Sequence, residues 1–148
     1  MDIKRSSTNI SHHNGITTTV ETLFLLSISA ILVAIVLLNF YGLQKSLQET
    51  SSLDQAYSIG AKITGDIYSI SLSEGDFAKK ELMIPDRIGG EQYLILLVND
   101  SSPELVIQYR FGEARIPISP SIKVINSSAT SYDAYLVMNN STIEVKNE

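Results

Sequence analysis

Residues 23–38 read LFLLSISAILVAIVLL, and this stretch decides the architecture. Ser27 and Ser29 alone interrupt the apolar run, and each can return its hydroxyl to a carbonyl one turn back. Extending back to Ile16 gives about 23 residues, which at about 1.5 Å each cross a hydrocarbon core of about 30 Å. A buried helix of a soluble protein rarely lacks a polar face for so long. A cleaved secretory signal is the other alternative. The run exceeds a usual signal core, and NFYGLQKSLQE at 39–49 holds no small-x-small cleavage site. The expectation is a retained transmembrane helix over 16–39.

Flanking charge sets the orientation. Lys4 and Arg5 precede the run, with His12 and His13 nearby, whereas after it Lys45 stands against Glu49 and Asp54. Positive charge stays on the cytoplasmic side. The N-terminus is therefore expected in the cytoplasm and residues from about 40 onward outside, in a single-pass cell membrane protein. Tyr41 marks the outer interface.

The rest of the composition works by exclusion. The chain has 148 residues, net charge −5, 44% hydrophobic and 18% charged residues, and no cysteine or tryptophan. Without cysteine there is no disulfide, thiolate-bound zinc or thiol nucleophile. A net negative chain offers no basic surface for nucleic acid. His12 and His13 are the only histidines, so nothing downstream can act as a histidine base or ligand. Gly89-Gly90 is not a phosphate loop, and no nucleophile elbow appears. Glu74 and Asp76 lack the oxygen-rich loop of a calcium site and read as a solvated turn. The expectation is no enzyme, no cofactor, no metal and no small-molecule substrate.

Glu21 lies just before the apolar run. A carboxylate there fits the headgroup region, where it and Thr17, Thr18 and Thr19 would cap the helix start. The sharper reading is a pair with a positive group on a neighbouring subunit, and position alone favours the headgroup reading. The polar leader, then Gly15, then ITTTVETLFLLSISAILVAIVLL at 16–38, resembles the class III signal of type IV pilin-like proteins. The likeness in layout covers about residues 1–72, and the specific motif is a few residues long. It implies that a prepilin-type peptidase cuts after Gly15, that Ile16 begins the mature chain, and that Glu21, at the sixth mature position, serves subunit assembly. The usual bacterial pattern has its glutamate at the fifth position, and the archaeal one a Lys or Arg where Asn14 stands. The Gly-Ile-Thr-Thr-Thr start is similar to that of small archaeal pilin-like proteins.

Beyond the membrane, Leu43, Leu47, Leu53, Tyr57, Ile63, Ile67 and Ile70 recur at helical steps among polar residues. This predicts an amphipathic helix over 40–72, with Gly42, Gly60 and Gly65 as kinks or close approaches. From Ser73 the period changes. Strands are expected at 77–84, 93–98, 105–111, 114–118, 122–125, 134–138 and 142–145. Breaks are expected at PDRIGGE, NDSSPE, FGEA, SPS, NSSATS and NNS. YLILLV at 93–98 is continuous, which predicts a central strand buried on both faces. About 75 residues make a marginal domain alone, so the helix is expected to complete its core. The fold class is α+β: a long N-terminal helix, transmembrane then amphipathic, packed on a small antiparallel β-sheet or β-sandwich. The segments are a leader at 1–15, a membrane helix at 16–39, an outer helix at 40–72 and a β-rich domain at 73–148.

N-glycosylation sequons fall at Asn9, Asn99, Asn126, Asn139 and Asn140. Asn9 would be cytoplasmic, and the other four fall in expected outer turns. The functional expectation is a structural, pilin-like subunit, minor rather than major, of an archaeal surface filament or its assembly machinery. Its partners would be the membrane, a prepilin-type peptidase and other pilin-like subunits held through the N-terminal helix. The alternatives are an uncleaved, membrane-anchored β-sandwich binding module, such as a stator-like protein contacting the surface layer, and an anchored accessory subunit of a larger membrane complex.

Overall fold

Helical residues extend without a break from the apolar run into the amphipathic segment, and α1 spans Ile10–Ser71. The computed structural model describes residues 10–73 and 75–148, with side chains from Thr18 onward. The chain divides into two compact units, Met1–Lys45 and Ser46–Glu148. The first is helical throughout its described residues.

In the second unit, α1 runs on to Ser71 and closes with Ser73 N–H donating to Ile70 O at 3.1 Å. Eight strands follow: β1 Phe77–Glu81, β2 Leu94–Asn99, β3 Pro103–Tyr109, β4 Gly112–Pro117, β5 Lys123–Val124, β6 Ser127–Thr130, β7 Ala134–Asn139 and β8 Thr142–Asn147. They form two four-stranded sheets, ordered β1-β7-β8-β5 and β4-β3-β2-β6. All pairings are antiparallel except β5 with β8.

Both sheets and the helix share one core. Ala56, Ile59, Ile63, Ile67 and Ile70 from α1 join Ile95, Leu97, Leu105 and Ile107 from one sheet and Leu136, Met138, Ile143 and Val145 from the other. The helix reaches the outer strand of each sheet. Asp66 pairs with Lys80 of β1 at 2.8 Å, and Gly60 lies against Ile116 of β4. A Cβ at Gly60 would overlap Ile116 Cδ1 and stand 3.3 Å from Ile107 Cδ1. Glycine is there for close approach, not for a kink. Gly42 and Gly65 have nothing within 4 Å.

Away from the helix, side chains of β6 and β8 stitch the two sheets together. Ser127 Oγ accepts from Val145 N–H at 3.0 Å. Asn147 Oδ1 accepts from Thr130 N–H at 2.8 Å, and its Nδ2 donates to Thr130 O at 3.2 Å. Of the outer strands, β1 and β4 carry Lys79, Lys80, Glu81, Glu113, Arg115 and Pro117, residue types that oppose edge-to-edge pairing.

The structure corrects several expectations. The buried helix face runs through Ser52, Ala56, Ile59, Ile63, Ile67 and Ile70, whereas Leu43, Leu47, Leu53 and Tyr57 are exposed. Small residues at 52, 56 and 60 let the helix approach the sheets, and a stripe chosen by apolar size misses them. β2 is a central strand but is buried on one face: Ile95 and Leu97 point inward, while Leu94 is 39% exposed. β6 occupies part of the expected break NSSATS. Its backbone pairs with β2 and only Ala129 need face inward, so polar residues suffice. β1 stops at Glu81, before the expected 84.

Candidate anchoring and assembly surface

Side chains from Val20 to Leu43 present an apolar surface on every side of the helix. No residue of the apolar window is buried, and Leu23, Phe24, Leu32 and Leu38 are 58–72% exposed. Three of its polar side chains turn back onto the helix. Thr22 Oγ1 donates to Thr18 O at 3.0 Å and to Thr19 O at 2.9 Å. Ser27 Oγ donates to Leu23 O at 2.8 Å, and Asn39 Nδ2 to Ile35 O at 2.8 Å. Backbone and side-chain polar groups satisfied within the helix suit hydrocarbon. This one long apolar helix near the N-terminus fits a membrane anchor.

Glu21 is exposed near the start of that segment. It makes no ion pair among the described residues. Gly15 and Ile16 lie within the bounds of α1, but their side chains are outside the described residues, and Asn9 is outside them altogether.

The four sequons among the described residues fall in two places. Asn99 ends β2 and Asn126 lies between β5 and β6. These two form a clasp: Asn126 Oδ1 accepts from Asn99 N–H at 2.7 Å, and Asn99 Nδ2 donates to Val124 O at 3.0 Å. Asn139 and Asn140 sit at the tip of the β7–β8 hairpin. Asn139 pairs with Thr142, leaving Asn140 and Ser141 as a two-residue turn with φ of 48° and 63°. Positive φ at both central residues defines a type I′ turn, which accepts asparagine readily.

A second such turn anchors the loop before β2 to the helix. Ile88 bridges to Glu91 across Gly89 and Gly90, with φ of 59° and 90°. A Cβ at Gly89 would stand 2.7 Å from Ser52 Oγ, so glycine is required for both conformation and space. Tyr93 fastens the same loop by donating to Pro85 O at 2.6 Å, and Ser131 Oγ donates to Asp86 O at 2.5 Å. Burial, and then the nearby Asp86 carboxylate, push the Tyr93 phenol pKa well above its ordinary value.

The remaining charged pairs lie at the surface. Hydrogen bonding to Glu113 raises the Arg115 pKa, with Glu104 adding to it. Glu144 does the same for Lys146. Among the described residues, no group of three or more His, Asp or Glu could hold a metal ion. Comparison with family models, curated proteins and solved structures found no match to the chain.

Proposed function

We propose that the chain is a structural, pilin-like subunit of a surface filament or its assembly machinery. One observation carries this reading. A single continuous helix is apolar and exposed on all sides over residues 20–43, and buried along one face under a β-sandwich at its C-terminal end. Such a helix can lie in lipid before assembly and against like helices after it, while the sandwich carries the outward surface. The resemblance of residues 1–38 to a class III signal supplies the filament part.

In this reading a prepilin-type peptidase cuts after Gly15 and frees the amine of Ile16. The Glu21 carboxylate of one subunit then faces the positive terminus of a neighbour, where loss of water strengthens the attraction. The role is scaffolding, with no substrate turned over. The test is the N-terminal sequence of the protein from its native membrane. A start at Ile16 supports the reading. An intact leader in cells with active peptidase overturns it, and leaves a permanently anchored binding or scaffolding module.

A further inference from the structure

We infer that Asn140, at the tip of the β7–β8 hairpin, is the acceptor of an N-linked oligosaccharide, and that Asn99 and Asn126 serve as a structural clasp. The inference rests on the outward placement of the sandwich proposed above.

The four sequons all match the acceptor pattern, with Thr142 in that of Asn140 and Ser in the other three, and they are unequal as structure. Transfer makes a bond between the asparagine Nδ2 and the anomeric carbon of a lipid-phosphate-activated oligosaccharide. The bond from that carbon to the phosphate oxygen breaks, the lipid phosphate leaves with the electron pair, and Nδ2 gives one proton to a base of the transferase. The carboxamide must therefore be reachable and free to turn. Asn99 Nδ2 is spent on Val124 O in a part-buried bond. Asn126 has its carboxamide held by Asn99 N–H. A sugar on either residue would disturb the junction of β2 with the β5–β6 corner.

Asn140 meets the requirement. It is exposed, and it lies in the turn, outside the paired residues of β7 and β8. Its backbone N–H donates to Asp76 O at 2.9 Å, which fixes the tip while leaving the side chain outward. Thr142 completes its sequon. Asn139 is less suited, because it pairs with both Phe77 and Thr142 inside the sheet. An open groove of about 250 Å³ beside the tip, lined by Ser71, Leu72, Lys123 and Ser141 among others, leaves room for the first sugar.

The tip lies by the C-terminal end of α1, since Ser71 and Leu72 line the same groove. From Ser46 to Ser71 the helix rises about 38 Å. The oligosaccharide would therefore stand at the end of this unit remote from Ser46.

The test is glycopeptide mapping of the full chain from its native membrane, beside labelling of intact cells with a membrane-impermeant amine reagent. The expected result is label on exposed Lys79 and Lys146, an oligosaccharide on Asn140, and bare Asn99 and Asn126. Thr142→Val keeps a β-branched residue in the strand and the Asn139 sequon intact, and it should abolish the modification. Labelled lysines with a bare Asn140, a sugar on Asn99 or Asn126, or a sugar surviving in Thr142→Val each overturn the inference while the outward placement stands. Unlabelled lysines overturn the placement, and this inference with it.

Discussion

The two halves of α1 are built from the same residue types for opposite surroundings. Between residues 20 and 43, large apolar side chains face every direction, and none is buried. Between residues 52 and 70, the buried residues lie on one face, and Ile63 and Ile67 are wholly buried. The first half suits an apolar solvent, and the second supplies one wall of a protein core. Burial alone therefore separates an apolar residue of the first half from a core residue of the second, although their chemistry is the same.

Substitutions can break that contrast, and the largest effect is expected at the core face. Ile67→Ala should destabilise the sandwich by about 2–5 kcal/mol, because it leaves a cavity. Leu32→Ala, in the apolar half, should leave sandwich unfolding unchanged. Thermal unfolding of both variants in detergent, followed by near-UV circular dichroism, checks this pair. Equal losses would mean that the two halves are not distinct. Next is Gly60→Leu, which forces a side chain onto Ile116 and Ile107. A loss of about 1–3 kcal/mol is expected from overpacking, measured by denaturant midpoint.

A smaller effect, with a pH signature, belongs to Tyr93. Its pKa is raised in the folded state, so the unfolded phenol, near its ordinary value of 10.0, ionises first. Stability is then full below about pH 10 and falls as pH rises beyond it. Tyr93→Phe should cost about 1 kcal/mol at neutral pH, through loss of the bond to Pro85 O. It should also flatten the alkaline decline, and a melting series from pH 7 to 11 shows both. The smallest effect has the opposite sign. Gly65→Ala meets nothing within 4 Å, and it should stabilise the helix by about 0.5–1 kcal/mol. A loss there would show that an unseen neighbour needs the glycine.

Legibility in the sequence followed the same contrast. The apolar run could be read because length and the absence of charge are local signals, and the long apolar helix they predict fits a membrane anchor. The sandwich could be read as alternating strands with turn residues between them. The helix face was misread where size misled: Leu53 and Tyr57 look like core and are exposed, whereas Ser52 and Ala56 are buried. Those small residues matter through proximity to Gly89 and the sheets, which no local pattern records. β6 escaped because Ser127, Ser128 and Thr130 read as a turn, and pairing with β2 is a long-range fact. Among the candidate sites, the sequons were visible as motifs. The clasp that separates Asn99 and Asn126 from Asn140 became visible only once residues 99 and 126 were brought together.

The pairing of β1 with β7 has a consequence for the order in which the protein is made. Phe77 finds its partner at Asn139, and β5 has no neighbour until Thr142 and Ile143 arrive. Long-range pairing of this kind is slow, because the chain must close large loops first. During vectorial synthesis the apolar helix emerges before either sheet can form. The sandwich thus stays open, and the cover over Ile63 and Ile67 incomplete, until the last strand is made. A chain truncated before β8 would remain in that state, with apolar core residues open to proteolysis.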